Sequence, residues 1–203
     1  MTRPPVPVLP LHGREQRIGL LGGSFNPAHE GHRLVSLAAL RRLGLDRVWW
    51  LVTPGNPLKA GQATPPLAGR VAVARAVARH PRIAVTGVEA ALGTRYAVDT
   101  VRALRRRCPG VRFVWLMGAD ILAELPRWHR WRSFLAAVPV AVVDRPGSTL
   151  NAARGPAAAV LARGRVRESA AKALPLATPP AFVFLHGPRS AASSTRLRAA
   201  RQG

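Results

Sequence analysis

Two histidines three residues apart, His29 and His32, close the string Gly22-Gly23-Ser24-Phe25-Asn26-Pro27-Ala28-His29-Glu30-Gly31-His32. Adjacent glycines let the backbone pass close to a ligand with no Cβ in the way, and the free N–H groups of a following helix start favour an anion. In a helix that begins near Ala28 both imidazoles share one face and point into the same mouth. The chemistry such a turn serves is phosphate handling. His-Glu-Gly-His lacks the i, i+4 spacing of a zinc-binding H-E-x-x-H helix, no cysteine or third ligand lies nearby, and no G-x-x-x-x-G-K-[ST] loop occurs. A protein metal site is therefore not expected, and a Walker loop is excluded.

A second phosphate-seeking group stands near the other end of the chain. Ser193, Ser194 and Thr195 open a predicted helix, where they serve as caps and also present hydroxyl and N–H donors to an anion. Arg198 follows one turn on and adds a fork of donors. Between the two ends, Lys59 sits in Pro54-Gly55-Asn56-Pro57-Leu58-Lys59. It is either a solvated loop lysine or a point charge for phosphate.

The elements that must position these groups alternate strand and helix. Arg17 to Leu21 reads as a strand, and Glu30 to Leu43 as a helix closed by Gly44 in the C′ position. Arg47 to Thr53 is a continuous apolar strand of the kind buried on both faces of a parallel sheet. Residues 68 to 80 alternate arginine with Ala and Val at helical spacing and predict an amphipathic packing helix ended by Pro81. A strand at Ile83 to Val85, a glycine turn and a helix at Val98 to Arg107 follow. Strands are predicted again at Val111 to Met117, Val138 to Val143 and Ala181 to Leu185, with a helix at Ala152 to Ala162. The pattern implies one α/β domain over residues 17–203, Rossmann-like and doubly wound around a mostly parallel sheet, behind a proline-rich leader at residues 1–16.

Ligands of such sheets bind at the carboxyl edge of the strands. Gly118 and Asp120 stand there after the predicted strand at Val111 to Met117. Asp120 suits either ribose hydroxyls or the N-cap of a helix. Trp128 and Trp131 are spaced to share a helical face, which fits core packing as well as a flat platform for an electron-poor ring. Cys108, the single cysteine, cannot form an internal disulfide and has no base beside it, so it reads as structural.

Nearly half of the 203 residues are apolar, enough for a sizeable core, and the formal charge is +22. That charge raises nucleic-acid binding as an alternative from another class. The excess is almost wholly arginine, with Lys59 and Lys172 the only lysines, and it is dispersed among Ala, Gly and Pro rather than gathered in a stripe. No specific nucleic-acid partner is expected. No run approaches the length of a membrane span, and the first residues lack the continuous apolar core of a signal peptide, so the expected location is the cytoplasm.

The string from Gly22 to His32 resembles the signature of the H-x-G-H nucleotidyltransferases, and in its longer form Gly-Gly-Ser-Phe-Asn-Pro-x-His-x-Gly-His it is similar to that of the nicotinate-nucleotide adenylyltransferases. The likeness covers residues 17–145 and 182–198. It implies that His29 and His32 touch the ATP triphosphate, with Gly22, Gly23, Ser24 and Phe25 around it, and that Gly118 and Asp120 border the nucleotide. Asn56 and Lys59 match an Asn-Pro-x-Lys motif. Ser193, Ser194, Thr195 and Arg198 match a Ser-Ser-Thr-x-x-Arg motif that grips the triphosphate. Thr94 and Tyr96, within Glu89-Ala90-x-x-Gly93-Thr94-Arg95-Tyr96, resemble the segment that receives the nicotinate end, and Trp128 matches the tryptophan that stacks on the ring. The implied reaction joins the adenylyl group of ATP to nicotinate mononucleotide, with Mg²⁺ arriving on ATP. Ala97 and Ile121 depart from the family pattern. Enzymes of the same fold that act on nicotinamide mononucleotide or phosphopantetheine share the two phosphate motifs.

Overall fold

The structure, a computed structural model, describes residues 8–55, 64–144 and 155–186. Asn56 and Lys59, and the group Ser193, Ser194, Thr195 and Arg198, lie outside the described residues. Six strands form one sheet: β1 (Arg17–Gly23), β2 (Arg47–Val52), β3 (Ile83–Thr86), β4 (Arg112–Gly118), β5 (Val140–Val143) and β6 (Phe182–Leu185). Their order is β3-β2-β1-β4-β5-β6, and every pairing is parallel. The chain winds outward from β1 through β2 to β3, returns to the centre at β4, and winds outward the other way.

The strands are apolar on both faces, and successive side chains feed two separate cores. Ile18, Leu20, Trp49, Phe113, Trp115 and Met117 face one of them. Val48, Trp50, Val114 and Leu116 face the other. The first core is covered by α3 (Val88–Leu92), α4 (Ala97–Arg107), α5 (Ala119–Glu124), α6 (Trp131–Leu135) and α7 (Pro156–Ala162). The second is covered by α1 (Glu30–Arg42), α2 (Leu67–Ala78) and a 3₁₀ segment at Glu168–Leu176. Cys108 lies buried at the end of α4, and burial pushes its thiol up.

Several boundaries differ from expectation. The glycine pair belongs to β1 itself, which runs on through Gly23. At Gly22 an added Cβ would stand 2.7 Å from the Trp115 ring, so the neighbouring strand's indole occupies that space. Trp128 and Trp131 do not share a helix. Pro126 sits in a short 3₁₀ turn at Leu125–Arg127, Trp128 follows with extended backbone (φ −75°, ψ 142°), Arg130 is left-handed (φ 50°), and only Trp131 opens α6. Within the predicted leader, Leu9 packs against the first core and the His12 ring meets Trp49 edge-on at 5.6 Å.

Candidate active site

The order of the sheet reverses between β1 and β4, and there the carboxyl ends of the two central strands open side by side. Such a switch point is where open α/β sheets receive ligands. The helix that leaves β1 starts later than Ala28: His29 is the N-cap of α1 and Glu30 its first residue. The cap is built from the two histidines. The Gly31 N–H donates to His29 Nδ1 at 3.1 Å, and the His29 N–H donates to His32 Nδ1 at 3.2 Å. This is a capping box in which imidazoles take the places of Ser/Thr and Glu. With each Nδ1 accepting, the neutral rings carry their hydrogen on Nε2, so both histidines are fixed as Nε2 donors. The ring centroids lie 3.9 Å apart.

Phe25 supports this arrangement from beneath. It is 1% exposed, stacks on Trp50 at 5.1 Å and meets the His32 ring at 4.6 Å. Its backbone is left-handed (φ 46°), a conformation costly for a bulky side chain and tolerated here by close packing. Phe25 therefore faces the core with its ring, and only its backbone is left to meet a ligand.

One residue of this site was read from sequence only as part of a packing helix. Arg70, on α2, is 4% exposed, and its guanidinium reaches four main-chain carbonyls. It donates to Ser24 O and Thr53 O at 2.8 Å each, to Pro65 O at 2.9 Å and to Pro54 O at 3.3 Å. The turn after β1, the end of β2 and the approach to α2 are thus tied to one buried cation. Burial lowers its pKa from the ordinary arginine value, yet the group remains charged. The signal in the sequence was slight: an arginine at the first turn of a helix that follows Pro65-Pro66, on the face of Ala74 and Ala78, both buried.

Across the switch point, Gly118 is the N-cap of α5 and Asp120 its second residue, half-buried. Asp120 is therefore not the cap, which removes one of its two readings. On the far side of β2, α3 ends at Gly93 in the left-handed conformation (φ 65°), and Tyr96 is the N-cap of α4. Tyr96 stacks on His129 at 4.2 Å with 27° between the rings, which places the start of α4 beside the Trp128 segment. Trp128 is half-buried, with Phe134 at 5.4 Å and Trp115 at 6.1 Å. Trp131, by contrast, is 9% exposed and capped by Arg132 at 4.4 Å from its ring, so Trp128 is the indole with an open side. His129 is a second residue that sequence reasoning passed over, although it stands between the two tryptophans.

Beneath Thr94 lies a buried acid. Glu89 is 6% exposed, and Thr100 Oγ1 stands 2.9 Å from its Oε1 and 2.9 Å from Thr94 Oγ1. Burial pushes the Glu89 carboxyl up, and the hydroxyls of Thr100 and Thr53 offset part of that shift.

A parallel, doubly wound sheet with a doubly capped helix start at its switch point defines a nucleotide-binding domain of the Rossmann-like class. A family model described as cytidylyltransferase-like matches residues 20–200. A protein of Methylorubrum extorquens (strain PA1) is 59% identical over 182 residues, which span 90% of this chain and 98% of that protein. One of Rhizobium meliloti (strain 1021) is 53% identical over 186 residues, 92% of this chain and 99% of that protein. Both carry the name probable nicotinate-nucleotide adenylyltransferase. In fold, the chain is similar to the Plasmodium falciparum nicotinic acid mononucleotide adenylyltransferase complexed with NaAD, with a TM-score of 0.65 at 14% identity, over 91% of this chain and 83% of that one. The chain belongs to the cytidylyltransferase-like family and, within it, to the nicotinate-nucleotide adenylyltransferases.

Proposed function

We propose that this chain transfers the adenylyl group of ATP to nicotinate mononucleotide, giving deamido-NAD and pyrophosphate, as a step of NAD biosynthesis in the cytoplasm. The observation that carries the reading is the histidine capping box at the switch point, in which the Nδ1 of each ring is engaged by the main chain and Nε2 is the nitrogen that carries the hydrogen. Family membership and the match along nearly the whole length of named relatives support it. Among the described residues no helix is long and apolar enough to cross a membrane.

In this reading the phosphate of the mononucleotide attacks the α-phosphorus of ATP in line, and the bond to the β,γ-pyrophosphate breaks. His29 and His32 donate to the triphosphate, Lys59 and Arg198 add charge, and together they stabilise the leaving group. The backbone of Gly22, Gly23, Ser24 and Phe25 borders the phosphates, Gly118 and Asp120 the nucleoside, and Ser193, Ser194 and Thr195 add donors to the triphosphate. Asn56, Thr94, Tyr96 and Trp128 receive the mononucleotide, with Trp128 offering its open face to the pyridine ring. Among the described residues no cluster of three His, Cys, Asp or Glu side chains forms a metal cage. Mg²⁺ enters as part of the MgATP substrate in this reading.

The test is a panel of acceptors with ATP, scored by pyrophosphate release: nicotinate mononucleotide, nicotinamide mononucleotide and phosphopantetheine. The nicotinate form is expected to be the best acceptor. Faster turnover of either competitor would overturn the substrate assignment while leaving adenylyl transfer in place.

A further inference from the structure

The hydroxyls of Thr94 and Thr100 and the carboxyl of Glu89 form a single file of hydrogen bonds running from the proposed pyridine pocket into the core. Thr94 is half-buried at its outer end, Thr100 is fully buried in the middle, and Glu89 is 6% exposed at the inner end. Each hydroxyl has one hydrogen to give, so the direction of one bond dictates the direction of the next. Thr100 has three oxygens around it: Glu89 Oε1 at 2.9 Å, Thr94 Oγ1 at 2.9 Å and the Tyr96 carbonyl at 3.3 Å. The carbonyl accepts only, and it is the most distant of the three.

Two arrangements follow. With Glu89 ionised, Thr100 donates inward to the carboxylate, Thr94 donates to Thr100, and Thr94 shows lone pairs to the pocket. With Glu89 protonated on Oε1, the acid donates to Thr100, Thr100 donates to Thr94, and the Thr94 hydrogen points outward. A carboxylate on the substrate can only accept, whereas an amide can meet Thr94 in either arrangement through its NH₂ or its carbonyl. We propose that Glu89 and Thr100 are positioning residues that set the choice between acid and amide by fixing which way the Thr94 hydroxyl points, and that binding of the acid substrate takes up one proton from solvent onto Glu89. This rests on the reading above in which Thr94 meets the mononucleotide.

The groups around Glu89 favour such a switch. The side chains that act on its carboxyl are hydroxyls, Thr100 from α4 and Thr53 just past β2. Thr53 Oγ1 itself stands 3.0 Å from Gly55 O. The charged and titratable neighbours by segment are Arg70, bonded to the Thr53 carbonyl, exposed Arg95, half-buried Asp99 in the first turn of α4, and His129 stacked on Tyr96. Burial raises the affinity of Glu89 for a proton, which brings the change of state toward the pH range in which the enzyme can be assayed.

The experiment measures kcat/KM for nicotinate and nicotinamide mononucleotides across pH 5 to 9 and takes their ratio. Titrations of the phosphates and of groups common to both reactions cancel in it. In the wild type the ratio should fall as pH rises, by about tenfold for each unit above the point at which free Glu89 ionises. Glu89→Gln carries a permanent donor at the same place, so its ratio should stay high and flat. Thr100→Val breaks the file and leaves the Thr94 hydroxyl free to turn either way, so its ratio should be flat with pH and stay above the high-pH value of the wild type. Calorimetry on the wild-type protein in buffers of different ionisation enthalpy supplies a readout that needs no variant: acid binding should take up as much as about one proton more than amide binding, the excess growing with pH. A wild-type ratio independent of pH with equal proton uptake, or a Glu89→Gln profile parallel to wild type, overturns the proposal. Thr94→Val separates the two layers. If it leaves the ratio unchanged, the placement of Thr94 on the substrate fails; if it lowers the ratio while Glu89→Gln behaves as wild type, only the relay fails.

Discussion

In the proposed reading the histidines at the start of α1 hold two duties at once, since the rings that cap the helix are the same ones whose other nitrogens would address phosphate. His32→Gln keeps a group able to accept from the His29 N–H and therefore spares the cap, whereas His32→Ala removes both duties. Turnover should fall by roughly a hundredfold or more in each, the scale of losing one preorganised donor, and thermal denaturation should separate them, with a loss of about 1 kcal/mol confined to alanine. A folded alanine variant with near-normal turnover would contradict the assignment. Arg70 is the opposite case, a residue with no call to touch substrate. Replacing it with Met leaves the carbonyls of Ser24, Thr53, Pro54 and Pro65 without their shared donor. The expected loss is about 3 kcal/mol, or roughly 6–12 °C in Tm for a chain of this size. Because Ser24 lies in the proposed phosphate turn, KM for ATP should rise more than KM for the mononucleotide. Equal changes in the two constants would show that the clamp serves stability alone.

At the scale of elements, Gly22 shows how the two halves of the site are joined. Its missing Cβ makes room for Trp115 of β4, whose ring lies 5.2 Å from Phe134 and 6.1 Å from Trp128. Gly22→Ala should cost about 1–3 kcal/mol by overpacking a close-packed interior, and Trp115→Phe should recover part of it, so that the double variant is more stable than the sum of single effects predicts. Additive losses, read by denaturant melts, would mean that the ring is not what the glycine accommodates. The existence and type of the strands were legible from their continuous apolar runs, because a strand buried on both faces leaves no other use for Val-Trp-Trp-Leu-Val. The strand-to-helix passage at Gly22 to His32 was legible because glycine, histidine and their spacing state a local geometry. Arg70 and Glu89 were not, since what distinguishes a buried charge from a solvated one is which distant backbone or hydroxyl waits for it, and that is decided by packing between elements far apart in sequence. The shared helix for Trp128 and Trp131 failed for a related reason: spacing alone cannot register the turn at Pro126 or the left-handed Arg130.

For the molecule as a whole, the charge of +22 has to be reconciled with a compact fold. Exposed arginines stand on both sides of the sheet, at Arg41 and Arg75 over one core and at Arg106, Arg107 and Arg163 over the other, so no single basic surface forms among the described residues. Binding to random duplex DNA should accordingly be weak, lose affinity steeply with salt and show no sequence preference in a competition assay. The few acids then matter more than their number suggests. Glu168 receives Arg42 Nη2 at 2.7 Å and the His186 main-chain N–H at 2.7 Å on one oxygen, with His186 Nδ1 at 2.7 Å from the other. Arg42 also donates to the His186 carbonyl at 3.0 Å, so the end of α1, the 3₁₀ segment and the end of β6 meet at one carboxylate. Burial alone would push Glu168 up, but the hydrogen bonds from His186 and Arg42 outweigh it and hold the carboxyl below its ordinary value of 4.5. A carboxyl whose folded pKa is depressed contributes its stability above the unfolded value and loses it as pH falls through the folded one. Glu168→Gln should therefore lower Tm by a few degrees near pH 7, the equivalent of about 1–2 kcal/mol for a partly exposed, charge-assisted cluster. That gap should persist down to about pH 5 and close steadily below it, as the wild-type carboxylate is protonated and comes to resemble the amide. A gap that stayed constant down to pH 3 would show that the bonds to Glu168 owe nothing to its charge.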